Sequence, residues 1–136
     1  EKDISHRMSL AWTAYWQLGK IWRSKHTPSA LKINIFRAAV ITILLYGCQT
    51  WVLTADLERQ LNTFATRCYR GIIGVSLFDH ISNDELYRRV DQRPLVEFVR
   101  ELKLKWLGHA LRRDDNEPSK IFALYEPEEG HGKAGQ

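Results

Sequence analysis

The sequence predicts an all-α bundle of five to six helices followed by a flexible polar tail. Three observations point there. Apolar residues recur at three- and four-residue steps in successive segments. Helix-starting and helix-breaking residues sit between those segments. No stretch alternates apolar and polar residues as a half-buried strand does, and no internal repeat is visible. The chain has 136 residues, 44% hydrophobic and 26% charged, the makeup of one globular domain that buries its own core. That domain is placed at 1–125 and the polar tail at 126–136.

The first helix is expected from residue 3 to about 25. Its stripe is Ile4, Met8, Ala11, Trp12, Tyr15, Leu18 and Trp22, with Asp3 or Ser5 as its cap. His26, Thr27 and Pro28 break it, Thr27 reading as an N-cap and Pro28 as the first residue of the next helix. That second helix, 28 to 46, begins amphipathic, with Leu31, Ile35 and Phe36 set against Lys32, Asn34 and Arg37. It then turns apolar all round (AAVITILLYGC, 38–48), as a central core helix would. Eleven residues fall short of the roughly 20 needed to cross a bilayer. Gly47 stops the helix.

Thr54 opens the third helix, with Asp56 and Glu58 in its first turn, where negative charge is favoured. Leu57, Leu61, Phe64, Ala65 and Cys68 form its stripe, and Gly71 and Gly74 mark a loop. Ser82 to Glu85 read as a capping box for a short fourth helix, 83 to about 90. Pro94 starts a fifth, to about 113. Leu95, Phe98, Val99, Leu102, Trp106 and Ala110 lie on one side of it and Leu104, Leu107 and Leu111 on another, so it is expected to pack on two sides. Pro118 begins a last short helix through about 124.

The charge is uneven. Residues 1–113 carry +8 and residues 114–136 carry −4, for the net +4. A basic body favours a polyanionic partner. Two basic patches stand out: Lys20, Arg23, Lys25 and Lys32, and then Arg88, Arg89, Arg93, Arg100, Lys103, Lys105, Arg112 and Arg113. Glu97, Glu101, Lys105 and Arg112 share a helical stripe, so part of the second patch also reads as internal ion pairing.

Enzyme chemistry finds little to use. Asp114 and Asp115 follow a helix end with no strand to hold them over a metal. Gly71 and Gly74 form a lone GxxG, too weak for a phosphate loop. The five histidines show no i, i+4 pair, and no serine sits in a nucleophile elbow. His109 falls on the apolar side of its helix, as a core or boundary histidine with a hydrogen-bond partner. Cys48 and Cys68 read as small core residues of a reducing compartment, neither a disulfide framework nor a zinc set. No catalytic residue, metal, cofactor, membrane span or small-molecule ligand is expected. The absence of a signal peptide places the chain inside the cell, in nucleus or cytoplasm, and the missing initial Met suggests a fragment. Of the three tryptophans in the first helix, Trp16 lies at the edge of the stripe and is expected to be the exposed one.

Four blocks, in order, carry a resemblance: LYGCQTW (45–51), RCYRGIIGV (67–75), SNDELYRRV (82–90) and KLKWLGHALRR (103–113). They resemble the region downstream of the palm in non-LTR retrotransposon endonuclease-reverse transcriptases. The opening GKIWRSK (19–25) fits as well, and the resemblance covers about residues 3–125. Gln49 stands where the family has Glu, and Tyr69 where it has Leu. The basic Gly/Arg/Pro-rich stretch after the last helix is only hinted at by Gly132 and Lys133.

The resemblance implies a thumb. The parent polymerase would copy RNA into DNA with Mg²⁺, using palm and fingers that this chain lacks. The helical segment would then close over an RNA or RNA–DNA template–primer duplex and hold its backbone without reading sequence. The implied contacts are Lys20, Arg23, Lys25, Lys32 and Arg37, with Arg100, Lys103 and Lys105 next. Two other readings stay open: an inactive transposon remnant, and a protein-interaction bundle using exposed aromatics such as Trp16 and Trp51.

Overall fold

The computed structural model describes residues 2–112, and every described element is helical or a turn. In order they are α1 (Lys2–Gln17), α2 (Gly19–Arg23), α3 (Ser29–Phe36), a π turn (Arg37–Ile41), α4 (Thr42–Leu44), a 3₁₀ turn (Cys48–Thr50), α5 (Ala55–Ile73), a second 3₁₀ turn (Leu77–Asp79), α6 (Asn83–Val90) and α7 (Leu95–Leu111). The all-α expectation holds among these residues. The helix expected near 118–124, Asp114 and Asp115, Arg113 and the tail at 126–136 lie outside them.

The chain divides into two compact units, Tyr46 and the residues before it with Thr63–Pro94, and Gly47–Asn62 with the chain from Leu95 on. In the first unit α1 packs on α4 and the π turn, and α3 packs on α6. Its core is aromatic. Tyr15 stacks on Trp22 (5.7 Å between centroids), Phe36 meets Tyr69 edge-on (5.4 Å), and Trp12 meets Phe64 the same way (4.6 Å). Edge-to-face and offset pairs at these distances add to the stabilisation from burial alone.

The expected first helix is really two. α1 ends at Gln17, and Leu18 leaves helical geometry (φ −94°, ψ 16°) before α2 begins. A helix end leaves carbonyls without partners. Here they are taken up across the break. The Trp22 indole Nε1 donates to Tyr15 O (2.8 Å), and Lys32 Nζ, arriving from α3, donates to Trp22 O (2.9 Å). An ammonium beside the carbonyl end of a helix is also favoured by the helix dipole. The turn into α3 differs in detail as well. Ser24 Oγ accepts from His26 N and from Thr27 Oγ1, Pro28 takes the N-cap place, and Ser29 is the first helical residue.

The second helix buries Ile33, Phe36, Val40, Ile41, Leu44 and Leu45, whereas Ala38 and Thr42 are exposed. It is one-sided where the sequence predicted an all-round core helix. Residues five apart lie on different faces of a regular α-helix, and the single π turn brings Phe36 and Ile41 to the same core. Gly47 then stops the chain in the left-handed region (φ 77°), as expected.

α5 begins as expected, with Thr54 Oγ1 accepting from Leu57 N (3.1 Å). Its buried stripe, Leu57, Leu61, Phe64, Ala65, Cys68, Tyr69 and Ile72, contains every residue expected there. The loop expected at Gly71 is absent. The helix runs on to Ile73, and only Gly74 (φ 75°) ends it, with Val75 N donating to Arg70 O across the turn (2.9 Å). Gly71 serves packing instead, because a Cβ there would stand 2.1 Å from the Tyr15 hydroxyl.

Gly71→Ala therefore pits two effects against each other. Alanine gains up to about 1 kcal/mol of helix propensity over glycine. Forcing the caged Tyr15 ring aside costs about 1–3 kcal/mol. We expect a net loss of about 1–2 kcal/mol in urea unfolding, mostly recovered when Tyr15→Phe removes the hydroxyl in the same chain. Equal losses in the single and double variants would refute the steric explanation.

α6 starts with Ser82 Oγ accepting from Glu85 N (3.2 Å) and closes at Asp91 in the left-handed region (φ 54°). In the second unit, α7 gets its cap from outside its own sequence: Asn62 Oδ1 accepts from Val96 N (3.2 Å). α7 buries Leu95, Val96, Val99 and Ala110. The second apolar side expected of it is not covered, since Leu104 and Leu111 are exposed.

Candidate nucleic-acid interface

Eight basic residues were expected to contact a sugar-phosphate backbone, and the structure sorts them by what holds each side chain. Lys20 and Arg23 project from α2, and Lys25 follows in the turn; all three are exposed. The kink at Leu18 places them together at one corner of the first unit. Arg23 folds back there, so that a Cβ on Gly19 would meet its Nη1 at 3.1 Å. Among the described residues, none of the three reaches a carboxylate. Their charge is open to solvent and to an incoming anion.

Lys32 belongs to the same stretch but faces inward. It is 8% exposed, with its ammonium on Trp22 O. Arg37 is exposed, and its Nη1 donates to Gln92 Oε1. In the second unit, Lys103 is half-buried and donates to the carbonyls of Gln49 and Trp51, closing the 3₁₀ turn onto α7. Burial pulls its pKa below the ordinary 10.5, against a smaller opposing effect from nearby Cys48. Arg100 pairs with Glu58 at 2.6 Å. Lys105 is exposed.

The remaining second-patch arginines are also engaged where they are described. Arg88 and Arg89 both hold the Glu85 carboxylate, chiefly by hydrogen bonds, and keep its pKa down at about 2. The expected internal pairing thus exists, but with Glu85 and Glu58 as the acids. The unbalanced charge is concentrated at residues 20–25.

The aromatic expectations divide. Trp16 is 67% exposed, as its place at the stripe edge predicts. Trp51, its supposed partner in an exposed patch, is 5% exposed and packed inside the second unit. A patch built on both is therefore ruled out by the burial of Trp51. His109 is exposed rather than on a core face, though not without a partner. The most exposed apolar pair, Leu77 and Phe78, was not singled out in the sequence. It stands on the 3₁₀ turn fixed by Ser76 and Asp79, and the only sequence hint is the Ser-x-x-Asp capping pattern.

Cys48 and Cys68 are free and buried, and burial raises both thiol pKa values. Among the described residues, no group of three His, Cys, Asp or Glu side chains comes together to hold a metal. No described helix is long and apolar enough to cross a membrane.

No family model matches this chain, and no solved structure matches it. The chain is similar to a transposon-derived protein of Caenorhabditis elegans, 26% identical over 129 residues that cover 92% of this chain and 46% of that protein. The chain thus spans about half the length of that relative, and the similarity is consistent with a transposon origin.

Proposed function

We propose that this chain is the thumb-like segment of a non-LTR retrotransposon reverse transcriptase, gripping the template–primer backbone with no catalytic centre of its own. The observation that carries the grip is the cluster Lys20, Arg23 and Lys25, exposed, adjacent and unmatched by acids among the described residues. Ammonium and guanidinium groups on a helix–turn meet phosphates as point charges and forks without selecting bases. The transposon-derived relative and the four ordered sequence blocks support the polymerase context. Attached to its palm, such a segment would keep the polymerase on its duplex. By itself it binds without turnover.

The test is fluorescence anisotropy against a labelled RNA–DNA duplex across a salt series. Three phosphate contacts give log affinity a slope of about −3 against log salt, at roughly 0.9 per contact by analogy with B-DNA. Combining Lys20→Ala, Arg23→Ala and Lys25→Ala should weaken low-salt binding by about tenfold or more and flatten the slope by about 3. Wild-type affinity that stays constant across the series would remove the electrostatic grip.

A further inference from the structure

Trp16 breaks the usual rule for tryptophan, which folded chains keep largely covered. Two-thirds of it faces solvent. It is nevertheless held in place. Trp12 lies nearly parallel to it, 6.3 Å away at 19°, and Tyr15 meets its edge at 5.0 Å and 74°. The indole is thus a fixed flat surface, buttressed from α1 and open on its outer side. Such a ring loses little freedom when another flat group is laid on it.

What surrounds it selects the partner. Lys20, Arg23 and Lys25 follow within nine residues, past the kink, with Arg23 turned back toward Gly19. No acid lies between Asp3 and Asp56, so positive charge in this stretch goes unopposed along the sequence. An apolar protein surface gains nothing from that charge. An unpaired nucleotide gains from both parts, its base from the ring and its phosphates from the cations.

We infer that Trp16 is a base-stacking platform for single-stranded nucleic acid, with Lys20, Arg23 and Lys25 holding the phosphates on either side of the stacked base. The inference rests on the grip proposed above and deepens it. A duplex offers the cations its backbone but hides its base faces, so Trp16 adds binding only where the strand is unpaired.

The experiment compares wild type, Trp16→Ala and Trp16→Tyr on two probes, a labelled single strand of about 12 nucleotides and a blunt RNA–DNA duplex of about that length. We expect Trp16→Ala to weaken single-strand binding about 5- to 100-fold and to change duplex binding by less than about twofold. Trp16→Tyr, which keeps a π face, should stay within about threefold of wild type on both. Tryptophan emission should be quenched when the single strand binds, and that quench should be missing in Trp16→Ala. Circular dichroism guards against a folding defect, and Trp16→Tyr preserves the test if alanine loosens α1.

Equal losses on both probes, or no loss on the single strand, would overturn the stacking role while leaving the grip intact. No binding of either probe by the wild type at low salt would overturn the grip, and the stacking role with it. A change in sedimentation on Trp16→Ala with single-strand affinity unaltered would identify the ring as a protein contact and reject the inference.

Discussion

Phe36→Ala is expected to lower the free energy of unfolding by about 3–5 kcal/mol, the range for truncating a fully buried phenylalanine. Phe36 is 0% exposed and stands where three aromatic neighbours meet: Tyr15 and Trp22, each at 6.4 Å, and Tyr69 at 5.4 Å. Those neighbours come from α1, α2 and α5, so collapse around the vacated ring would need several helices to shift at once. Cores relax only partly, and the unfilled volume adds its own cost to the lost transfer energy. For a domain with about 5–15 kcal/mol in hand, a loss of this size unfolds an appreciable fraction of molecules. Phe36→Leu keeps most of the volume and should cost less than about 1.5 kcal/mol. Phe78→Ala, at a residue 88% exposed on its turn, should fall within about 0.5 kcal/mol of wild type. Urea unfolding followed by circular dichroism measures all three. A Phe36→Ala loss below about 1 kcal/mol would mean that the aromatic cluster does not hold the first unit together.

The parts of this molecule legible in the sequence are those fixed by neighbours a few residues away. α6 could be bounded correctly because Ser82 caps Glu85 N and the helix closes through backbone bonds inside the same ten residues. The α5 stripe was legible because one apolar face on a long helix leaves a clear period. The break at Leu18 was not, since the apolar spacing runs straight through it. What ends α1 there is the Trp22 indole and, behind it, an ammonium ten residues further on. Gly71 looked like a loop because its tenant, the Tyr15 hydroxyl, comes from another helix. Asn62 looked like an ordinary helix-surface residue, although its carbonyl oxygen caps α7.

The same division runs through the candidate interface. Lysines and arginines read as surface by default, which suits Lys20, Arg23 and Lys25. It fails for Lys32 and Lys103, whose ammonium groups close carbonyl ends that only the folded chain brings near. Sequence gives the sum of charge, while the fold decides which charges are already matched. Trp16 and Trp51 make the same point for aromatics. One sits at a stripe edge and is exposed; the other lies in an irregular connection, where periodicity says nothing.

Alkaline pH should unfold this protein, and buried acids supply the reason. Tyr15 and Tyr69 are 5% and 3% exposed, and burial raises each pKa from 10.0 to about 12, with Cys68 adding a smaller upward push on both. Arg37 opposes part of the effect on Tyr69. Burial also raises Cys68 and Cys48 above the ordinary 9.0. A group whose folded pKa lies above its unfolded value contributes stability that is fully present below the unfolded value. That stability disappears as pH rises toward the folded one, because the unfolded chain releases its proton first. Each such group removes about 1.4 kcal/mol per pH unit within its window. The window opens near pH 9 for the thiols and near pH 10 for the phenols. Lys103 acts the other way, since its lowered pKa makes the native state shed a proton before the unfolded chain does, but it is one group against four. The net loss between pH 8 and pH 11 should reach about 4–6 kcal/mol, comparable to the whole stability of a small domain. Urea midpoints measured across that range should fall steeply above pH 9 and recover on return to neutral pH. Tyr69→Phe keeps the ring and removes one titrating proton, so its decline near pH 11 should be shallower than wild type by about 1 kcal/mol. A flat profile to pH 11 would show that these groups are wetter than their burial implies. A Tyr69→Phe profile parallel to wild type would show that Tyr69 does not hold its proton more tightly in the folded chain than in the unfolded one.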